Sequence, residues 1–258
     1  MSMKVLDLFS GIGGFSLGLE RAGMETVAFC ENDPFCQKVL KKHWPDVPVH
    51  NSIEDLDGRQ YRGSVELVCG GAPCQPYSVA GEQRGAEDDR ALWPEMLRVI
   101  REMEPIWVVF ENVPGIISME LDNVLSDLEG EGYSCQSFVI PACGVDAPHK
   151  RDRVWIMAHA SIKRLQRSEE TGDSLGSRKN REQLSTGLNR VPRRDKSQNQ
   201  PRMGGMVDGV SRWLDEPEGI PRVIGKVPDR VNRLKSLGNA VVPQVVEVLG
   251  RMVMEIEQ

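Results

Sequence analysis

Cys69-Gly70-Gly71-Ala72-Pro73-Cys74-Gln75-Pro76-Tyr77-Ser78 places a thiol between two prolines, just after the apolar run Val65-Glu66-Leu67-Val68. That run has the length and composition of a short buried strand. The glycines end it, and Pro73 and Pro76 stiffen the turn on either side of Cys74, so the sulfur rides on a rigid loop at a strand end. Loops of this kind carry chemistry more often than packing, and a thiolate there is a nucleophile. A lone Pro-Cys also occurs in ordinary turns, and short motifs match by accident. Two carboxylates and a glycine loop in similar positions decide between these readings.

The elements that must position them alternate along the chain. Lys4 to Phe9 reads as a strand, Ser10-Gly11-Ile12-Gly13-Gly14 as a glycine loop, Phe15 to Ala22 as a helix closed by Gly23, and Thr26 to Cys30 as a second strand ending at Glu31. This is the layout of a nucleotide-binding βαβ unit, with an acidic residue about 20 positions after the turn to accept two ribose hydroxyls. The glycines do not fall on the dinucleotide fingerprint. A pyrophosphate cradle is therefore disfavoured, and a nucleoside without phosphates, such as S-adenosylmethionine, fits as well or better.

Asp33 to His43 reads as a helix with Asp33 and Pro34 at its start, followed by short strands at 47–50 and 65–69. Gln75 to Arg90 is polar, glycine-containing and without period, the composition of a mobile loop. Leu92 to Glu102 has helical spacing. Ile106 to Phe110 is apolar throughout, like an interior parallel strand, and runs into Glu111-Asn112-Val113-Pro114-Gly115. A helix over 121–129 and strands over 133–139 and 153–159 follow. The alternation predicts an α/β fold, a doubly wound and mostly parallel sheet with helices on both faces. The glycine loop, Glu31, Cys74 and Glu111 then each follow the carboxyl end of a different strand, the rim where open α/β sheets bind ligands.

The 258 residues suffice for one large domain, or one with a small companion. Hydrophobic residues at 40% and charged residues at 27% describe an ordinary globular chain. A net charge of -6 argues against gripping nucleic acid with the whole surface and leaves room for a local basic face. The six cysteines (Cys30, Cys36, Cys69, Cys74, Cys135, Cys143) form no Cys-x-x-Cys pair, and the four histidines complete no zinc pattern, so no metal is expected. With no signal-like h-region after Met1 and no apolar stretch of transmembrane length, the expectation is a reduced cytoplasmic compartment.

From Ala160 the texture changes to Ser, Arg, Asn, Gln, Thr and Gly. Residues 160–206 hold eleven Lys/Arg against five Asp/Glu, an excess that could face a polyanion or belong to a solvated insert. Trp213, Leu214 and Ile220 could anchor it. Order returns over Asn232 to Pro243. Val242, Val245, Val246, Leu249, Met252, Val253 and Ile256 then form a helical stripe.

Taken together these motifs resemble the DNA (cytosine-5) methyltransferases of compact bacterial or phage type. Asp7 to Phe15 is similar to that family's cofactor loop, Gly71 to Ser78 to its nucleophile loop, and Glu111-Asn112-Val113 to its acid motif. His149-Lys150-Arg151-Asp152-Arg153-Val154 stands where the family carries Gln-x-Arg-x-Arg, and Leu237 to Pro243 resembles its closing motif. The match covers 1–159 and 230–258 in the right order. It implies a methyltransferase-type catalytic domain over 1–159, a small irregular target-recognition region over 160–229 and a segment over 230–258 that returns to the catalytic domain.

The resemblance implies transfer of methyl from S-adenosylmethionine to C5 of a flipped-out cytosine in duplex DNA. Cys74 would add to C6, Glu111 would act at N3, and Arg153 with Arg151 would supply positive charge. Phe15 would meet the adenine, Glu31 the ribose, Ile53 the adenine edge and Asn239 the methionine end. Phe9, Ser10, Gly11, Gly13, Gly14, Pro73, Leu92 and Ala240 complete the implied cofactor site. Ser52 stands where an Asp is usual against the adenine amino group, His149 replaces a Gln, Ala72 a proline or aromatic, and Tyr77 a Phe. A transfer-RNA cytosine methyltransferase, a catalytically silent nucleic-acid-binding relative and a small-molecule methyltransferase are the alternatives. A monomer is expected, with a cognate endonuclease as an optional partner.

Overall fold

A computed structural model describes residues 2–72, 92–160 and 228–257. Pro73, Cys74, the loop expected over Gln75 to Arg90 and residues 161–227 lie outside the described residues. The chain divides into two units, Met1–Gly176 with Val231–Gln258, and Ser177–Arg230. The elements below belong to the first, apart from Arg230, where the helix Arg230–Asn239 starts.

Seven strands form one sheet: β1 (Lys4–Leu8), β2 (Glu25–Cys30), β3 (Val49–His50), β4 (Leu67–Gly70), β5 (Trp107–Asn112), β6 (Tyr133–Pro141) and β7 (Asp152–Ala160). Their order is β3-β2-β1-β4-β5-β7-β6. Every pairing from β3 to β5 is parallel, and β7 alone runs against its neighbours β5 and β6. The helices are α1 (Gly14–Arg21), α2 (Pro34–His43), α3 (Trp93–Met103), α4 (Ile116–Met119), α5 (Leu121–Gly130), α6 (Arg230–Asn239) and α7 (Pro243–Ile256). This is the doubly wound arrangement of the S-adenosylmethionine-dependent methyltransferase fold. Among the described residues no helix is long and apolar enough to cross a membrane.

Strand alternation sends successive side chains to opposite faces. Leu6, Leu8, Val68, Val108 and Phe110 meet Met96, Ile100, Val124 and Leu128 on one side. Val5, Leu67, Val109, Trp155 and Met157 meet Phe15, Leu19, Val246, Leu249 and Val253 on the other. A sheet buried on both faces explains why β5 is apolar without interruption. α2 starts as its sequence foretells: Asp33 caps it, accepting from Phe35 N at 2.8 Å and Cys36 N at 3.4 Å, with Pro34 in the first turn.

Three differences from the sequence reading have physical causes. β5 runs on through Glu111 and Asn112, which pair with Trp155 and Val154, so Glu111 sits in the strand rather than just after it. α6 gave no periodic signal because Ser236 is its buried residue while Val231, Leu234 and Leu237 are exposed. In α7 the stripe holds at Val245, Val246, Leu249 and Val253, but Met252 is exposed.

Candidate active site

Because β1, β2, β4 and β5 run parallel, their carboxyl ends share one rim, and a cleft of about 470 Å³ opens along it. The cleft gathers Phe9, Ser10, Gly11, Gly14 and Phe15 from the first loop, Glu31 after β2, and Ile53 after β3. It also collects Leu92, Glu111, Arg153, Asn239 and Ala240.

The glycine loop is set by its backbone. Phe9 and Gly11 adopt left-handed φ values of 53° and 54°. At Gly11 an added Cβ would meet nothing, so φ is the constraint there. Gly13, expected at the cofactor, instead packs on α2: a Cβ there would come within 2.6 Å of Trp44, and the residue does not border the cleft. Its value lies in its φ of 84° and in letting α2 approach.

Glu31 is held by backbone donors on both oxygens, Gly11 N at 2.7 Å and Asp33 N at 2.7 Å. Each oxygen keeps a second lone pair for a hydroxyl in the cleft. Gln37 ties the same residue down by donating to Glu31 O at 2.6 Å and to Asn51 Oδ1 at 3.1 Å. With Phe15 and Ile53 as buried apolar walls, this donor and acceptor set fits a nucleoside cofactor of the S-adenosylmethionine type.

At the other end, Arg153 Nε lies 2.9 Å from Glu111 Oε1. Glu111 is 9% exposed. Burial pushes its carboxyl up to about 7, outweighing the opposing pull of Arg153 and Arg151. Such a group exchanges a proton near neutral pH, as a general acid must. Arg151, whose φ is 39°, donates from Nη2 to Gly238 O at 2.8 Å and Ala240 O at 2.9 Å. It thereby binds the start of β7 to the segment carrying Asn239, and also stands among the residues around Glu111 behind the cleft.

Cys30 and Cys36 border the cleft, but burial pushes both thiols up, Cys30 to about 12. They are wall atoms rather than nucleophiles. Cys74 lies outside the described residues, while the residues leading to it, Gly71 and Ala72, line the cleft, and a Cβ at Gly71 would be 3.0 Å from Glu111 Oε2.

Residues that sequence reasoning passed over are Lys235 and Ser236, which reach the cleft wall from α6. Lys235 Nζ pairs with Asp33 Oδ2 at 3.1 Å, and Ser236 Oγ lies 3.4 Å from Cys36 Sγ. Nothing local marks them. Asp7 was legible only as part of the loop motif. It is fully buried, accepts from Ser16 Oγ at 2.7 Å and Ser16 N at 3.3 Å, and so fixes the start of α1.

Burial pushes Asp7 up to about 7, so the folded state binds its proton more tightly than the unfolded chain, whose carboxyl has a value of 3.8. The stability this confers is complete below about pH 4 and is lost as pH rises through about 7. Urea unfolding across pH 4–8 should show a decline on the order of 2–4 kcal/mol from this group. Asp7→Asn, with no proton to lose, should flatten that part of the profile. An unchanged slope in the variant would refute the assignment.

The sheet order is that of the S-adenosylmethionine-dependent methyltransferase fold, and the cleft fits a nucleoside cofactor of that type. The C-5 cytosine-specific DNA methylase model matches residues 3–211, and the chain belongs to that family. Type II methyltransferase M.HgiCII of Herpetosiphon aurantiacus is 35% identical over 159 residues, covering 60% of this chain and 36% of that protein. Type II methyltransferase M.AquIA of Picosynechococcus sp. is 32% identical over 192 residues, covering 66% of this chain and 77% of that protein. A solved structure of a methyltransferase encoded within an Escherichia coli prophage superposes with a TM-score of 0.54 at 27% identity, covering 64% of this chain and 48% of that one. The chain thus spans just over a third of the length of relatives such as M.HgiCII.

Proposed function

We propose that this chain transfers the methyl group of S-adenosylmethionine to C5 of a cytosine in a specific duplex DNA sequence, through a covalent bond between Cys74 and C6. The observation that carries the reading is the pairing, on one rim, of a nucleoside-type pocket around Glu31 with a buried proton-exchanging carboxyl braced by Arg153.

C5 of cytosine is a poor nucleophile. The thiolate of Cys74 adds at C6, and the C5–C6 pair moves to C5 and into the ring as an enamine. Glu111 delivers a proton to N3, and Arg153 holds the developing negative charge. S-adenosylmethionine, held by the Glu31 end of the cleft, supplies an electrophilic methyl on a sulfonium. With the methyl on C5 and S-adenosylhomocysteine released, C5 gives up its proton to water, the pair returns to C5–C6, Cys74 leaves as thiolate and the N3 proton returns to Glu111. A stacked base cannot reach these groups, so the cytosine is flipped out. Residues 160–229, with their basic excess, serve as the target-recognition region. The enzyme acts as a cytoplasmic monomer in a bacterial host, with or without a cognate endonuclease; a stable dimer in sedimentation would contradict the first point.

The test is bisulfite sequencing of DNA from a methylation-free bacterium expressing the chain, beside a Cys74→Ala control. Protected cytosines in one short context, absent from the control, are the expected result. Unprotected DNA from soluble protein that still binds S-adenosylhomocysteine would overturn the DNA reading and direct attention to RNA.

A further inference from the structure

α6 borders the cleft, yet little seats it. Ser236 is its buried residue, whereas Val231, Leu234 and Leu237 are 77%, 58% and 64% exposed. α7, the next helix, buries Val245, Val246, Leu249, Gly250 and Val253. A helix whose apolar side chains gain nothing from burial opens locally far more readily than one seated as α7 is.

Among the described residues, two side-chain contacts join α6 to the first turn of α2. Lys235 Nζ lies 3.1 Å from Asp33 Oδ2, and Ser236 Oγ lies 3.4 Å from Cys36 Sγ. All four residues border the cleft, so these contacts run from one of its walls to another and bridge it. The bridge lands on the turn that holds Glu31, since Asp33 N donates to Glu31 Oε1 at 2.7 Å. The two ends of α6 differ in how they are held. Arg151 fastens the last turn by donating to Gly238 O and Ala240 O. The rest depends on an ion pair whose lysine side chain is 63% exposed. Such a pair is weak and screened by salt, and a thiol is a poor hydrogen-bonding partner for a hydroxyl.

We propose that α6 is a strap across the cofactor cleft, latched by Lys235 on Asp33, and that release of this latch sets how fast cofactor enters and product leaves. The inference rests on the cofactor reading above for its ligand and adds to it the step that limits exchange. Lys235 is a positioning residue, acting through the strap. A latch that closes equally over the empty and the filled cleft changes both rates by one factor and leaves the affinity alone. A residue that only contacts the cofactor changes the affinity instead.

Stopped-flow binding and release of S-adenosylhomocysteine by the full chain tests this without any turnover. In Lys235→Ala both rate constants should rise about threefold, the scale of one exposed ion pair, with Kd moving less than about twofold. Ser236→Cys supplies the converse. Its sulfur faces Cys36, and diamide, taking two electrons and two protons from the pair of thiols, joins them as a disulfide that shuts the strap. S-adenosylhomocysteine bound beforehand should then be trapped, and dithiothreitol should free it. The same variant carrying Cys36→Ser should not respond to diamide. An unchanged on-rate in Lys235→Ala, an off-rate that rises alone, sulfurs that fail to join, or free release from the closed disulfide would each overturn the strap. A parent that binds no S-adenosylhomocysteine would overturn the cofactor reading, and hydrogen exchange then judges the strap by itself. Amides of 234–237 should exchange about tenfold faster than those of 247–253, and faster again in Lys235→Ala. Equal protection of the two helices would sink the strap in that case as well.

Discussion

Glu111→Gln should lower kcat/KM for cytosine methylation by about 10²–10⁴, the range that positioned acid–base groups supply. The glutamine preserves size and can still accept from Arg153, so the loss isolates the proton. The pH profile separates this from a structural effect. With its carboxyl at about 7, Glu111 is protonated below that value and ionised above it. The parent should therefore lose rate above pH 7 as the acid is consumed, while a thiolate requirement gives the opposite limb on the acid side. In Glu111→Gln the descending limb above pH 7 should vanish along with most of the rate. A variant that keeps the descending limb, or loses less than tenfold, would show that another group delivers the proton.

A second large effect is expected far from the reacting atoms. Gly18 lies on the face of α1 that α7 crosses, where an added Cβ would come within 2.5 Å of Pro243 O and 2.6 Å of Val246 Cβ. On the same seam a Cβ added at Gly14 would come within 2.9 Å of Val241, and one added at Gly250 within 2.8 Å of Ala22. Overpacking of this kind costs ~1–3 kcal/mol and occasionally more. Backbone oxygen has no rotamer to yield with, so Gly18→Ala should fall at or above the top of that range despite alanine's better helix propensity of about 1 kcal/mol. That corresponds to a drop in thermal midpoint of roughly 6–12 °C. Gly130→Ala, at the end of α5 where a Cβ meets nothing within 4 Å, is the control and should be neutral or stabilising by up to about 1 kcal/mol. Equal midpoints for the two variants would mean that α7 does not approach α1 this closely.

The Gly18 result also bears on function. α7 follows directly from Asn239 and Ala240, which border the cleft, and Arg151 grips the carbonyls of Gly238 and Ala240. Pushing α7 away from α1 should move that wall, so cofactor affinity should fall with stability. In Glu111→Gln it should not.

Much of this was legible in the chain because short-range chemistry dictates it. The alternation of apolar runs and helical spacings foretold the sheet, and Asp33-Pro34 foretold the start of α2. The glycine loop, Glu31 and Glu111 were visible because each is a polar or flexible residue placed just where an apolar strand stops or nears its end. Residue types and spacing alone therefore determined the fold class and the rim.

What the tertiary structure decided depends on groups distant in sequence. Gly13 looked like part of a ligand loop, and packing against Trp44 assigned it instead to α2. Lys235 and Ser236 carry no local signal, because their partners Asp33 and Cys36 lie some 200 residues away in the chain. Arg151 read as a charge for catalysis, and its hydrogen bonds to Gly238 and Ala240 show it also fastening the C-terminal segment. The raised carboxyls of Asp7 and Glu111 could not be read from sequence at all, since the cause is burial by side chains from several elements. Local propensity sets where a residue stands on its own strand or helix; desolvation and charge pairing are set only when the strands assemble.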